Sequence, residues 1–352
     1  MFHPLRVSDV ERLTDDSVAV TFAVPPELRE TFRHVPGQHL ALRRHGVGGE
    51  EIRRTYSICS PAAPEGEEPV LRVGIRLVDG GEFSTYALKE LAVGDTVEVM
   101  EPMGRFLLAP RAGRFAAIVG GSGITPVLSM ASTLLAREPQ ARFCLIRSDR
   151  TAASTMFLDE VADLKDRFPD RFQLVTVLSR EEQQSGLPSG RLDQERLAGL
   201  LPALLPVGEV DGWFLCGPFG LVVGAERALR GLGVDRGQIH QEIFHVDDGS
   251  APAVRAAAVP AHATLTATLD GRSGTWPVQE GESLLETVLR SRSDAPYACK
   301  GGVCGTCRAF LVTGEVRMDR NYALESEETD AGYVLACQSH AVTPEVELDF
   351  DR

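Results

Sequence analysis

The run Tyr297-Ala-Cys-Lys-Gly-Gly-Val-Cys-Gly-Thr-Cys-Arg308 decides how the rest of the chain is read. It sets Cys299, Cys304 and Cys307 as Cys-x4-Cys-x2-Cys, and Cys337 follows 30 residues later in Val-Leu-Ala-Cys-Gln. That spacing is the one that binds a [2Fe-2S] cluster. Three thiolates on one tight loop wrap an iron pair if the backbone bends sharply. Gly301, Gly302 and Gly305 supply the bends and let amide N–H groups approach the sulfides, where they stabilise negative charge. Cys299, Cys304, Cys307 and Cys337 are therefore the expected metal ligands. A zinc site or a redox-active Cys-x-x-Cys pair would use the same residues. A zinc ribbon, however, would usually carry a second Cys-x-x-Cys, which the sequence lacks.

Composition bounds the remainder. A length of 352 residues suits two or three domains, and 43% hydrophobic with 24% charged residues is ordinary for globular protein. No apolar run approaches the roughly 18 residues of a membrane span, and the start, Met1-Phe-His-Pro-Leu-Arg6, reads as no secretory signal. Cys59, Cys144 and Cys216, left over in distant segments, argue against a disulfide framework and for a reducing cytoplasm. A net charge of −14 argues against nucleic-acid binding. Residues 261–352 carry 15 acidic and 8 basic residues, net −7, which is half the total on about a quarter of the length. Such a domain would be steered toward a basic patch on a partner, or would simply be soluble.

Residues 1–110 alternate short β-rich runs with Gly, Pro and Asp breaks, which predicts an antiparallel barrel with strands at Val18–Val24, Leu40–Arg43, Val70–Leu77 and Thr96–Met100. In Arg54-Thr-Tyr-Ser57, Arg54 and Tyr56 share one strand face. There a guanidinium suits a phosphate, a phenol ring suits a flat aromatic ligand, and Ser57 suits a ring nitrogen. Gly80-Gly-Glu-Phe-Ser-Thr85, a glycine pair before hydroxyls at a helix start, suits a pyrophosphate and makes Gly81, Phe83 and Ser84 candidates.

Residues 111–247 read as an α/β domain with a parallel sheet. The buried-type strand Phe115–Val119 runs into Gly120-Gly-Ser-Gly-Ile-Thr-Pro126, where Thr125 is expected to cap a helix and Pro126 to open it. That turn nominates Gly121, Gly123, Thr125 and Pro126 for a pyrophosphate, although the third glycine of the dinucleotide fingerprint is missing. Further strands at Arg142–Arg147, Gln173–Leu178 and Gly212–Leu215 end in Ser148-Asp-Arg150, Ser179-Arg-Glu181 and Cys216-Gly-Pro218. Helices are expected at Met156–Arg167 and Val222–Leu232. Ligand groups gather at strand C-termini, so Arg150, Ser179 and Arg180 are expected on one rim, where they suit a ribose 2′-phosphate. Asp149 pulls the other way, since NAD sites use an acidic residue on the ribose diol.

Residues 248–260, rich in Ala, Pro and Gly, read as a linker to a final domain at 261–352. In it a hairpin is expected at Thr264–Leu269 and Ser273–Val278 around Asp270-Gly271. Ser283-Leu-Leu-Glu286 is a capping box for a helix over Leu284–Ser291.

Taken together, Arg54-Thr-Tyr-Ser57, Gly81 to Ser84, Gly121-Ser-Gly-Ile-Thr-Pro126, Cys216-Gly-Pro218 and the four cysteines resemble the plant-type ferredoxin–NADP reductase superfamily, in members with a C-terminal ferredoxin. The resemblance implies an FAD-binding barrel, an NADP-binding α/β domain and a β-grasp [2Fe-2S] domain. It places Arg54 on the flavin diphosphate, Tyr56 on the isoalloxazine, Ser57 near N5, and Cys216 with Gly217 beside the nicotinamide, making Ser57 and Cys216 the catalytic candidates. More narrowly, Gly314-Glu-Val-Arg-Met-Asp319, Asn321-Tyr-Ala-Leu-Glu325 and Gly332-Tyr-Val-Leu-Ala-Cys-Gln338 resemble the reductase subunits of di-iron ring epoxidases, whereas Arg147-Ser-Asp-Arg150 departs from the Tyr-Gly-Asn-Arg of relatives. The implied activity passes electrons from NADPH to FAD to the cluster and on to a separate oxygenase, the di-iron epoxidase subunits. A steroid hydroxylase, an aromatic-ring dioxygenase or an FMN-using relative are the neighbouring readings. A non-catalytic redox sensor or metal-bound interaction module is the reading from another class.

Overall fold

The computed structural model describes residues 1–46, 48–181, 190–245, 263–292, 294–297 and 299–352. Phe2–His245 form one compact unit and the C-terminal residues from Ala263 another. The expected linker at 248–260 lies outside the described residues.

The first unit begins with an antiparallel sheet built from β1 (Phe2–Thr14), β2 (Ser17–Ala23), β3 (His39–His45), β4 (Glu51–Ser57), β5 (Leu71–Arg76) and β6 (Thr96–Met100), in the order β4-β3-β6-β1-β2-β5. Its core is the inward row of alternating residues, such as Leu71, Val73 and Ile75 of β5. The helix α1 (Glu82–Lys89) tucks Phe83 and Ala87 into that core. Sequence periodicity overlooks the 13-residue β1, because it is polar on its outer face and its register shifts between Val7 and Asp9.

The second sheet is parallel and contains β7 (Arg114–Gly120), β8 (Arg142–Asp149), β9 (Phe172–Leu178), β10 (Gly212–Pro218) and β11 (Ile239–His245), in the order β11-β10-β7-β8-β9. Helices α2 (Ile124–Arg137), α3 (Leu158–Arg167), α4 (Gln194–Leu204) and α5 (Phe219–Gly231) connect the strands. The strand order reverses between β7 and β10, which opens a crevice at their carboxyl ends.

Three expected helix starts are corrected, one of them α5, expected from Val222 and found from Phe219, directly after Pro218. A 3-10 turn at Gly121–Gly123 feeds straight into α2, so the helix starts at Ile124 and Thr125 is inside it, donating from Oγ1 to Ser122 O at 2.9 Å. Pro126 is tolerated there because the first turn's N–H groups lack intrahelical partners anyway. The helix expected from Met156 starts at Leu158, since Phe157 is left-handed at φ 56°.

The barrel and the parallel sheet meet along the outer face of β5. Arg72 donates to Glu160 Oε1 at 3.2 Å, Arg76 donates to Ser154 O at 2.6 Å, and Gly74 lies between them against Thr125 and Phe157.

In the C-terminal unit, β12 (Thr264–Leu269) and β13 (Arg272–Pro277) form the expected hairpin, with Asp270 at φ 52° and Gly271 at φ 68°. The capping box is in place: Glu286 N donates to Ser283 Oγ and Ser283 N to Glu286 Oε2, opening α6 (Leu284–Leu289). The mixed sheet continues with β14 (Arg308–Thr313), β16 (Tyr333–Leu335) and β18 (Glu345–Asp349). The pair β15 (Val316–Met318) and β17 (Ser339–Ala341) and the short α7 (Ser326–Asp330) complete the unit. The order β13-β12-β18-β14-β16 pairs β12 directly with β18 in parallel, and one face of the sheet covers the hydrophobic core.

A Cβ on Gly74 would lie 2.7 Å from Thr125 Cγ2 and 2.9 Å from the Phe157 ring. Gly74→Ala is expected to destabilise the first unit by about 1–3 kcal/mol. It should lower the thermal unfolding midpoint of the full chain followed by circular dichroism, and an unchanged midpoint would mean that the seam yields without cost.

Candidate functional site

β3 and β4 place His39 opposite Ser57, and β10 and β11 place Cys216 opposite Glu242. The end of the barrel thereby meets the carboxyl edge of the parallel sheet. Ser57 Oγ donates to Glu242 Oε2 at 3.4 Å, Cys216 Sγ lies 4.0 Å from the same oxygen, and His39 Nδ1 lies 3.9 Å from Glu242 Oε1. Each group is pushed toward its neutral form. Burial raises the Glu242 pKa to about 7 despite the Ser57 hydrogen bond, and lowers that of His39 to about 4. Burial and the Glu242 charge raise the Cys216 thiol well above its ordinary value. Neither Glu242 nor His39 figured in the sequence reading.

Next to this cluster, Tyr56 of β4 packs against Phe83 of α1 with ring centroids 5.6 Å apart, and burial raises the Tyr56 phenol pKa. Arg54 is exposed on the same strand face as Tyr56. The Ser84 and Thr85 hydroxyls both donate to Gly81 O, and Ser84 also accepts from Val78 N. What remains at that loop for a phosphate is the first turn of α1, which has no side-chain cap.

At the switch point two turns touch backbone to backbone. A Cβ on Gly123 would lie 2.2 Å from Cys216 O, and one on Gly217, at φ 139°, 2.8 Å from Gly120 O. Arg76 reaches this turn as well, with Nη1 3.1 Å from where a Gly121 Cβ would stand. Thr125 and Pro126 are buried behind it.

Along the neighbouring rim, Ser179 N donates to Asp149 O and Arg180 N to Arg150 O, which sets these strand ends side by side. Asp149 does not face the cleft as a free acid. It is buried in an ion pair with Arg147, Nε to Oδ2 2.8 Å, and Arg147 donates onward to Met156 O. Alternation puts residues 147 and 149 on one face, a signal present in the sequence. Arg180 is exposed; Arg150 is half exposed and pairs with Asp16.

In the C-terminal unit the cysteine loop bends at Lys300, Gly302 and Gly305, each with positive φ. The thiols associate in two pairs, Cys299 with Cys304 and Cys307 with Cys337. The hydrogen bond from Cys304, with amides of Gly301, Val303 and Cys304, outweighs burial and holds the Cys299 thiol below its ordinary range. Gln338 Nε2 holds Lys300 O at 2.8 Å and lies 3.7 Å from Cys337 Sγ. Among the described residues the thiols thus stand as two pairs and not as one group of three or more, with Gly301 N donating to Cys299 Sγ at 3.3 Å, and two pairs are what a cluster of two irons, each taking two thiolates, calls for.

Comparison with known proteins accords with this arrangement. Residues 4–107 match the family described as "Oxidoreductase FAD-binding domain", 117–227 "Oxidoreductase NAD-binding domain", and 267–342 "2Fe-2S iron-sulfur cluster binding domain". The chain is 43% identical to a subunit of the 1,2-phenylacetyl-CoA epoxidase of Escherichia coli (strain K12), over 99% of its own length and 98% of that protein's. It belongs to the ferredoxin-reductase family of FAD- and [2Fe-2S]-containing NAD(P)H oxidoreductases. It is also 31% identical to the "3-ketosteroid-9-alpha-monooxygenase, ferredoxin reductase component" of Rhodococcus rhodochrous, over 98% and 96% of the two chains. Among solved structures, phthalate dioxygenase reductase, described as a modular structure for electron transfer from pyridine nucleotides to [2Fe-2S], aligns at 25% identity with a TM-score of 0.59 over 99% and 98% of the chains. The chain is thus an enzyme whose cofactors are FAD, NAD(P)H and a [2Fe-2S] cluster, which removes the sensor and interaction-module readings. Among the described residues no helix is long and apolar enough to cross a membrane.

Between pH 4.5 and about 7 the folded protein keeps a proton on Glu242 that the unfolded chain has lost, so wild-type stability falls as pH rises through that window. His39 acts at the acid end, where stability falls as pH drops from 6.5 toward 4. Glu242→Gln removes the first slope and leaves the second. Its thermal midpoint relative to wild type should therefore rise from pH 5 to pH 8, by the equivalent of about 1–3 kcal/mol. A difference that stays flat across that range would contradict the raised carboxyl.

Proposed function

We propose that this chain is the reductase component of a phenylacetyl-CoA ring epoxidase, drawing on NADPH and serving separate di-iron epoxidase subunits. The observation that carries the reading is the 43% identity to a phenylacetyl-CoA epoxidase subunit over 99% of the chain, covering all three cofactor domains. When bound, FAD takes the two electrons of a hydride together and the [2Fe-2S] cluster hands them on singly.

The chain's own groups bind, orient and hold protons. Arg54 sets a guanidinium against a flavin phosphate, and Tyr56, backed by Phe83, offers the isoalloxazine an aromatic wall. Glu242, titrating near neutrality, holds or releases a proton at Oε2 beside Ser57 Oγ. Cys216, kept as a thiol by burial, presents a compact neutral surface to the nicotinamide. Gly123 and Gly217 keep the switch-point crevice free of side chains, with Gly121 and Arg76 at its mouth for the pyrophosphate. Cys299, Cys304, Cys307 and Cys337 hold the cluster.

NADPH is favoured over NADH because Asp149, the acidic candidate for a ribose diol, is committed to Arg147, while Ser179 and Arg180 line the adjacent strand end. Arg180→Ala is expected to raise the KM for NADPH about ten- to hundredfold, the loss of one charge-assisted hydrogen bond, with little change for NADH. Steady-state reduction of an artificial acceptor checks this, and a wild type that prefers NADH, or a variant that loses both equally, contradicts it. For the partner, the purified chain is combined with phenylacetyl-CoA epoxidase subunits. NADPH consumption should then depend on phenylacetyl-CoA and match epoxide formed; activity on artificial acceptors alone would point to another oxygenase, such as a steroid monooxygenase.

A further inference from the structure

The turn between β1 and β2 holds a carboxylate that reaches across to the parallel sheet. Asp16 Oδ1 accepts from Thr14 Oγ1 at 2.8 Å and Arg76 Nη2 at 3.1 Å; Oδ2 accepts from Arg76 Nε at 3.1 Å and Arg150 Nη2 at 2.8 Å. Three of these bonds lie within the barrel. Thr14 Oγ1 is fixed in turn by Ser17 Oγ at 2.5 Å, and Arg76 by Ser154 O. The fourth joins the barrel to the nucleotide rim, because Arg150 follows β8 directly and its carbonyl is paired with Arg180 N.

We propose that Asp16 competes with the nucleotide's 2′-phosphate for Arg150, and thereby sets how strongly the enzyme discriminates NADPH from NADH. The inference rests on the NADPH reading above. Arg150 and Arg180 differ in what binding requires of them. Arg180 is exposed, whereas Arg150 carries a carboxylate on its Nη2, so a phosphate gains that hydrogen bond only by exchange. The exchange is feasible: the side chains of Arg150 and Asp16 are 50% and 30% exposed, and ion pairs this open to water are weak. A phosphate near −2 outcompetes a single carboxylate. Asp16 itself does not leave, because Arg76 and Thr14 hold it, so its charge stays close to the incoming phosphate and opposes it. NADH brings no group to this position and meets no such opposition. Asp16 is thus a positioning residue whose effect on discrimination passes through Arg150.

The test uses the full FAD- and cluster-loaded chain and titrates NADP+, NAD+ and 2′,5′-ADP by the perturbation of the flavin spectrum. Asp16→Asn keeps an acceptor oxygen for Thr14 and Arg76 and removes the charge. It should tighten NADP+ and 2′,5′-ADP about three- to tenfold and shift NAD+ far less. In an Arg150→Ala background the same change should give no gain, the two substitutions being non-additive. Weaker NADP+ binding in Asp16→Asn, or an equal gain with and without Arg150, overturns the proposal. Should Asp16→Asn lose its flavin, Arg150→Ala alone decides: it must cost NADP+ less affinity than Arg180→Ala, and a greater cost overturns the proposal. A wild type that binds NAD+ as tightly as NADP+ and ignores 2′,5′-ADP would remove the NADPH reading, and this proposal with it.

Discussion

The architecture of the redox site depends on how closely two backbone turns approach at the strand-order reversal between β7 and β10. Gly123 and Gly217 stand where any side chain would strike Cys216 O or Gly120 O. Because nothing intervenes, Cys216 is drawn to the carboxyl edge of the sheet beside Glu242, and both face Ser57 and His39 from the barrel. The switch-point cleft and the cluster of Ser57, Cys216, Glu242 and His39 beside it are therefore consequences of one contact. The β5 seam fixes the same relation from the other side, since Arg72 and Arg76 clamp the parallel sheet's connecting segments while Gly74 lets them close.

Electrostatically, the site is divided between neutral and charged parts. Around Glu242 burial disfavours ionisation, so thiol and imidazole stay neutral near pH 7 while the carboxyl titrates there. Toward the nucleotide rim, guanidinium groups accumulate, and two carboxylates temper them: Asp149 on Arg147 in the interior, Asp16 on Arg76 and Arg150 at the edge. A chain with net charge −14 thereby presents a locally basic rim, suited to phosphates.

Features set by local spacing were legible in the sequence. The cysteine loop sets three thiols within nine residues, the Arg54–Tyr56 face follows from strand alternation, and the hairpin at Asp270-Gly271 and the capping box at Ser283 declare themselves by turn and cap chemistry. Features created by tertiary pairing were not. Glu242 lies in Ile-His-Gln-Glu-Ile-Phe-His with no motif around it, and acquires its place only because β11 pairs with β10. Arg76 and Asp16 belong to no motif, and meet Ser154 and Arg150 only because the barrel docks on the parallel sheet. Thr125 looked like a helix cap because its hydroxyl suits one, but the preceding glycines form a 3-10 turn that carries the helix start back to Ile124. Asp149 was ambiguous only while Arg147, two residues earlier on the same face, went unweighed.

The central claim is that one chain takes electrons from a nicotinamide nucleotide at its flavin and delivers them from its cysteine-bound cluster. The direct measurement is anaerobic titration of the full chain with NADPH, following flavin absorbance and, in frozen samples from the same titration, the EPR signal of a reduced [2Fe-2S] cluster. The account predicts bleaching of the flavin bands with appearance of the cluster signal, and a signal approaching one spin per chain when NADPH is in excess. A flavin that is reduced while the cluster stays EPR-silent, or a chain that binds no iron at all, would contradict it.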